Sequence, residues 1–282
     1  MKKYADLHVH TFFSDSTFSP EEVVDTALEK GLSAVAVTDH DCVDGIAPAA
    51  AHAAPSGLEI VPGIELAVEK SGREVHILGY FIDWQAQWLR DTLARLQKSR
   101  VDRVYKIVEL LKKQGIALDP ETVFKIAGRG AVGRLHIAFA LLKTKNIRYI
   151  NEAFSKYIGF MKPCYVPHIK MSPEEAIGII RRSGGVPVLA HPKTTKNDSL
   201  IPEFAAAGLR GIEAYHTDHG KAEEKKYKKI AEKNGLLITG GSDCHGIGKG
   251  RVLIGTVMVD YGLVEKLKQE SVKIRGDAHA DA

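Results

Sequence analysis

Eight short apolar runs recur along this chain, and each gives way to a polar cluster: Tyr4–His8, Ala34–Thr38, Glu59–Val61, Val75–Ile82, Val186–Ala190, Gly211–Tyr215, Leu236–Thr239 and Thr256–Val259. Runs this short and continuous, bounded by Gly and turn residues, read as buried strands. Helix signals separate many of them. Ser19-Pro20-Glu21-Glu22 sets a capping Ser, a first-turn Pro and a Glu able to close a capping box ahead of Val23–Leu28, with Gly31 beyond. Ser172-Pro173-Glu174-Glu175 repeats the device ahead of Ala176–Arg182, and Gly184-Gly185 ends it. The alternation predicts an α/β protein built on a parallel sheet or barrel.

One stretch breaks that rhythm. From Trp84 to His168, Leu89, Leu93, Leu96, Val104, Ile107, Val108 and Leu111 follow a helical period; Asp119-Pro120-Glu121 opens a second helix and Gly133–Leu142 reads as a third. This predicts an all-helical insertion over 84–168, inside an α/β domain formed by 1–83 and 169–275, with a frayed tail at 276–282. Charge divides the same way. The stretch carries 16 Lys and Arg against 6 Asp and Glu, a formal +10, whereas the whole chain is +4, so the remainder is −6. A basic segment beside an acidic remainder suits an anion-attracting surface next to a site that holds cations.

Composition excludes other classes. The hydrophobic fraction of 44% is that of a globular chain, and no apolar run approaches the ~20 residues of a membrane span. Cys42, Cys164 and Cys244 form no C-x-x-C pair, which argues against a disulfide framework or a thiolate zinc site. The N-terminus passes at once into Asp-His-His chemistry, leaving no room for a signal peptide, so a cytoplasmic protein is expected.

The chemistry gathers where the runs end. In Asp6-Leu7-His8-Val9-His10, residues two apart share a strand face, so His8 and His10 present two imidazoles side by side, with Asp15 on the adjoining loop. Asp39-His40-Asp41 follows the second run, Gly63-Ile64-Glu65 the third, His191 the fifth, and Asp243-Cys244-His245 the seventh. His76 lies near the start of its run and fits the pattern less well. In a parallel barrel the C-terminal strand ends share one rim, where active sites form. Imidazole with carboxylate suits Zn, Mn or Fe. Asp39 and Asp41 could also be ligands but read better as groups that orient His40 or cap the next helix; His52, His168 and His279 read as ordinary core or surface residues.

The segments DLHVHTFFSD, TDHD, GIE, the isolated His76, AHP and SDCH resemble the PHP (polymerase and histidinol phosphatase) superfamily, over essentially the whole chain outside the insertion. The length and the stretch Gly128-Arg129-Gly130 with Gly133-Arg134 resemble its TrpH-like subgroup, which includes exoribonuclease-like enzymes and nucleoside 3′,5′-bisphosphate phosphatases. The resemblance implies a distorted seven-stranded (β/α) barrel with a trinuclear metal centre. It implies His8, His10, Glu65 and Asp243 on one ion, Glu65, His76 and His191 on a second, and Asp15, His40 and His245 on a third, with Glu65 shared. Ser16 departs from the family, which often has Gly there.

Two or three divalent ions (Mn, Fe or Zn) outweigh three carboxylates, so the site attracts an anion, and a phosphate ester is the natural one. A metal-bridging hydroxide is the expected nucleophile. Asp15, Glu65 and His219 are the expected catalytic residues, His219 protonating the leaving oxygen or holding phosphate. Arg129, Arg134 and Lys193 are expected to bind substrate phosphate, aided by the helix N-terminus at Gly133; His216 and His136 are vaguer candidates. Tyr149, Phe154, Tyr157 and Phe160 offer a base-stacking surface. The expected activity is hydrolysis of a phosphomonoester or terminal phosphodiester of a small nucleotide, such as a nucleoside bisphosphate, or of short RNA or DNA, with no membrane partner. The alternatives are a histidinol-phosphate or cyclic sugar phosphate hydrolase, or a non-catalytic metal- or nucleic-acid-binding module.

Overall fold

A computed structural model of the chain describes residues 2–167, 171–248 and 250–280, with the side chains of 278–280 excepted. His168 and the side chain of His279 fall outside it. Each of the eight apolar runs contributes a strand: β1 Tyr4–Val9, β2 Ala34–Val37, β3 Glu59–Lys70, β4 Arg73–Tyr80, β5 Val186–Leu189, β6 Gly211–His216, β7 Leu237–Gly241 and β8 Val259–Asp260. They form one sheet in the order β7-β6-β5-β4-β3-β2-β1-β8. The sheet curls until β7 meets β1, giving an α/β fold around a nearly closed barrel. The count is therefore eight rather than seven, the eighth being a two-residue strand antiparallel to β1 at Tyr4 and Ala5.

The sheet is mixed, not parallel. β1, β2 and β3 run parallel, as do β5, β6 and β7, but β4 is antiparallel to both β3 and β5. The reason is local. β3 does not stop at Val61 but runs twelve residues and folds back through Ser71 and Gly72, both with positive φ, which is the two-residue hairpin geometry that follows strand twist. Because β4 runs the other way, His76 near its start lies level with the ends of the parallel strands, which explains its position in the sequence.

Closure depends on the absence of a side chain. A Cβ on Gly241 would lie 2.3 Å from the His8 nitrogen and 2.4 Å from its Cβ. Gly241→Ala must push β7 off β1. It should cost about 1–3 kcal/mol, read as a lower denaturation midpoint with an unchanged slope.

The helices are α1 Pro20–Glu29, α2 Ile46–Ala53, α3 Gln87–Lys113, α4 Pro120–Ala127, α5 Arg134–Lys143, α6 Ile150–Ala153, α7 Pro173–Arg182, α8 Pro192–Thr195, α9 Ile201–Ala206, α10 Lys221–Lys233 and α11 Gly262–Ala280. Both expected capping boxes form: the Ser19 and Ser172 hydroxyls accept from the Glu22 and Glu175 amides, and those carboxylates accept in return. The expected frayed tail is instead helical through Ala280, as the end of α11. Val264, Leu267 and Ile274 of α11 pack with Leu7, Leu78, Tyr80 and Val188 inside the barrel.

Helices α3–α6 lie between β4 and β5. α3 straddles two apolar clusters: Leu89, Leu93 and Leu96 join the one covering the outside of the barrel, while Val104, Ile107 and Leu111 join another with Val123, Ile137 and Leu141. The Gly-rich stretch before α5 docks on the loop that carries Asp15. Ala131 N donates to Phe13 O at 2.8 Å, and a Cβ on Gly130 would stand 2.4 Å from Phe12 O. That close approach, not contact with an anion, explains Gly130. No helix among the described residues is long and apolar enough to cross a membrane.

Candidate metal centre

Glu65 lies within β3, on the strand face that points into the barrel, and five imidazoles surround its carboxylate. Oε1 is 2.8 Å from His76 Nδ1 and 3.0 Å from His191 Nε2. Oε2 is 3.2 Å from His10 Nε2, 3.2 Å from His40 Nδ1 and 3.3 Å from His8 Nε2. Asp243 Oδ1 lies 3.2 Å from His10 Nε2 and 3.5 Å from His8 Nε2. Asp15 extends the cluster, 3.2 Å from His245 Nε2 and 3.9 Å from His40 Nε2. All nine residues proposed from sequence as metal ligands therefore meet in one place.

The backbone is built to bring them there. β1 carries an irregularity between Asp6 and Val9. Ala5 and Leu7 face the apolar interior, and beyond the irregularity His8 and His10 face Glu65 while Val9 turns outward. A bulge that re-aims side chains beside a site is a common device. Asp41, His191 and Asp243 hold positive φ without being Gly, at 48°, 25° and 52°. Strained conformations of this kind collect where function over-determines the backbone. Ser16 keeps negative φ, so the position needs no Gly, and its hydroxyl accepts from Phe18 N.

A carboxylate has about four lone-pair sites and cannot serve five ring nitrogens at once. His10 Nε2, His40 Nδ1 and Asp15 Oδ1 are buried without a hydrogen-bond partner among the described residues. Burial alone would raise the Glu65 carboxyl; His40, His76 and His8 instead hold it well below the ordinary carboxylate range. Convergent buried imidazoles and carboxylates, more than their own pairings can satisfy, fit divalent cations. Four overlapping groups could each take one: His8, His10, Glu65 and Asp243; His10, Asp15, His40 and His245; His40, Glu65 and His76, with His191 on the Glu65 oxygen that His76 faces; and His8, Glu213 and His216.

Two supporting residues were not found from sequence. Glu213 on β6 accepts from His8 Nδ1 at 3.0 Å and from His191 N at 2.7 Å, so it fixes the His8 ring with Nε2 toward Glu65. Glu74 on β4 lies 3.0 Å from His76 Nε2 and pairs with Arg134 at 2.8 Å and Arg103 at 3.2 Å. The acidic neighbours of His40 do other work than expected. Asp39 accepts from Thr11 N, Thr11 Oγ1 and Ser14 Oγ, pinning the loop after β1, and Asp41 binds Arg100 Nε at 2.6 Å.

The cluster forms the floor of a cavity of about 720 Å³. Arg100, Arg103 and Arg134 enter it from the helical segment, and Leu135, Phe139, Leu142, Tyr149, Phe154 and Ile247 form an apolar wall. Several expected substrate residues lie elsewhere. Arg129 is exposed and outside the lining, because Gly130 rather than Arg129 makes the docking contact. Lys193 donates to Asp218 O at 2.7 Å and faces Glu223 in a separate small cleft. His219 donates from Nδ1 to Ala214 O at 3.0 Å and packs on His216 and Tyr227; neither it nor His216 lines the cavity. His219 is thus not placed to protonate a leaving group. His136 accepts from Gly133 N as part of the α5 cap. Tyr157 packs in the helical core, and Phe160 stands on Tyr165. His52 is a surface residue paired with Asp25.

Buried imidazoles and carboxylates at the mouth of an α/β barrel, facing arginines across a cavity, define a metal-dependent hydrolase of phosphate esters. Residues 6–172 match the PHP domain. The chain is 34% identical over 251 residues to a 3′,5′-nucleoside bisphosphate phosphatase of Chromobacterium violaceum, covering 87% of this chain and 88% of that one. It is 33% identical over 247 residues to the 5′-3′ exoribonuclease Rnm of Escherichia coli, covering 85% and 84%. A solved structure from Bifidobacterium adolescentis, assigned as a metal-dependent phosphoesterase, superimposes with a TM-score of 0.87 at 30% identity, covering 94% of this chain and 96% of the other. The chain belongs to the PHP family and is a metal-dependent phosphoesterase.

Proposed function

We propose that this protein removes phosphate from a small nucleotide carrying a second phosphate, such as a nucleoside 3′,5′-bisphosphate, or from the end of a short oligonucleotide. The observation that carries this reading is the cavity itself, with a cation-binding floor, arginines at one side and an apolar wall large enough for a base. In this reading His8, His10, Glu65 and Asp243 hold one ion, Glu65, His76 and His191 a second, and Asp15, His40 and His245 a third. Manganese, iron or zinc would suit these donors. When bound, such ions lower the pKa of water near neutrality and stabilise charge on phosphoryl oxygens.

The chain's own residues do the rest. Asp15, Glu65 and Asp243 balance part of the cation charge and leave the floor attractive to phosphate. Glu213 keeps His8 in one tautomer. Arg103 and Arg134 share the single carboxylate of Glu74, so the trio keeps a net positive charge for a second phosphate, and α5 opens with its N-terminus beside it. Tyr149, 73% exposed, and Phe154 offer the base a flat apolar face. The segment 84–168 acts as the cap that carries these contacts.

A phosphate-release screen with metal-loaded protein tests the reading. A nucleoside 3′,5′-bisphosphate or a short 5′-phosphorylated oligonucleotide should be turned over, and histidinol phosphate or a cyclic sugar phosphate should not. Preference for either of the latter would overturn it. Arg134→Ala should reduce kcat/KM for the bisphosphate roughly 10- to 100-fold, the worth of one charge-assisted hydrogen bond, and that for the corresponding monophosphate much less. Equal loss on both would remove Arg134 from the second-phosphate site.

A further inference from the structure

Arg100 reaches the cavity from α3 and is only 5% exposed. Its Nε donates to Asp41 at 2.6 Å and its Nη1 to Val132 O at 3.4 Å. Its Nη2 is buried with no hydrogen-bond partner among the described residues. An unused donor on a buried guanidinium is costly unless something arrives to accept from it. The location is specific. A Cβ on Gly133 would lie 3.6 Å from Arg100 Nη1 and 3.7 Å from Asp15 Oδ2, so the guanidinium and the Asp15 carboxylate border the same glycine. Arg103 and Arg134 are engaged by Glu74, whereas Arg100 is held by Asp41, beside the group His10, Asp15, His40 and His245.

We propose that Arg100 Nη2 donates to a non-bridging oxygen of the phosphoryl group that is cleaved, and so acts on the reacting phosphate while Arg134 acts on the remote one. The proposal rests on the phosphoesterase reading of this cavity. The guanidinium is preorganised: Asp41 fixes its plane, Gln97 donates to the Asp41 carbonyl at 3.0 Å, and the aliphatic stem is buried. A fixed donor aimed at oxygens that gain charge during displacement stabilises the transition state more than the ground state. Its loss should therefore appear in kcat, with the preference for doubly over singly phosphorylated substrates unchanged.

Arg100→Lys is the informative substitution. The ammonium can still pair with Asp41 and hold α3 in place, but it cannot present a second, divergent N–H pair. Expected is a fall in kcat of about 10²- to 10³-fold with metal content and melting temperature near those of the parent, and weaker inhibition by inorganic phosphate. Full activity in Arg100→Lys would show that Arg100 only tethers α3 to Asp41, and would overturn the proposal. A crystal of the parent protein with manganese and inorganic phosphate gives an answer independent of how the variant folds. Nη2 should lie within hydrogen-bond reach of a phosphate oxygen, and a bound phosphate that leaves Nη2 without contact would also overturn it. If the parent hydrolyses no phosphate ester at all, the functional reading itself fails, which differs from a parent and an Arg100→Lys variant that are equally active.

Discussion

Glu65→Gln should leave a folded protein that retains fewer divalent ions and loses roughly 10³-fold or more of its phosphate-ester hydrolysis, since the effect exceeds removal of a single oxyanion donor. Glutamine keeps the shape of the side chain. It replaces one acceptor oxygen by an amide donor in a place where five imidazoles converge and where cations need negative charge. Both oxygens of Glu65 are engaged by different histidines, so either orientation of the amide disrupts one side of the cluster. Elemental analysis alongside turnover checks this: activity should fall with metal content. Full metal content and near-parent turnover in Glu65→Gln would contradict the shared-ligand assignment.

Stripping the protein with a chelator should abolish turnover and lower its melting temperature by about 6 °C or more. An ion present at a hundred to a thousand times its dissociation constant stabilises the native state by about 3–4 kcal/mol, and each kcal/mol is worth about 2–4 °C in a chain approaching this size. The ion-free pocket takes protons instead. Burial opposes a charged ring, but Asp243 and Glu65 raise His10 to about 9, and Glu65 and Glu74 raise His76 to about 10. At pH 7.5 both rings therefore carry a proton without metal and must release it to become ligands. Adding metal back should release protons and restore both turnover and stability. Titration in weakly buffered solution measures that release directly. Metal binding without proton release, or a melting temperature indifferent to chelation, would place the ions elsewhere.

Much of this site was legible from strand ends and short motifs. His8 and His10 obey strand parity, and His40, His191, Asp243 and His245 follow apolar runs, so one rim was the economical prediction. What stayed hidden depends on geometry that pattern does not encode. Glu213 and His216 are three residues apart, yet both turn toward His8, because β6 is irregular between Glu213 and Tyr215. Period-two reasoning cannot find such a pair, although a Glu inside an apolar run was a usable signal. Glu74 became meaningful only once β3 and β4 formed a hairpin and the helical segment brought Arg103 and Arg134 to it. The basic segment was visible as charge, but its arginines could be chosen only in part. Of the two named beside glycines, Arg134 lines the cavity and Arg129 does not, because Gly130 serves docking, and Arg100 and Arg103 of α3 were not singled out.

Anomalous diffraction from crystals of protein purified without chelators, collected on either side of the manganese, iron and zinc edges, tests the cluster most directly. Peaks are expected about 2.0–2.3 Å from both Glu65 oxygens and from the facing imidazole nitrogens, with a further peak beside Asp15 and His245. A map without peaks at Glu65, with the imidazoles still packed against its carboxylate as they are when protons alone hold them, would contradict the claim that this barrel is organised around bound cations.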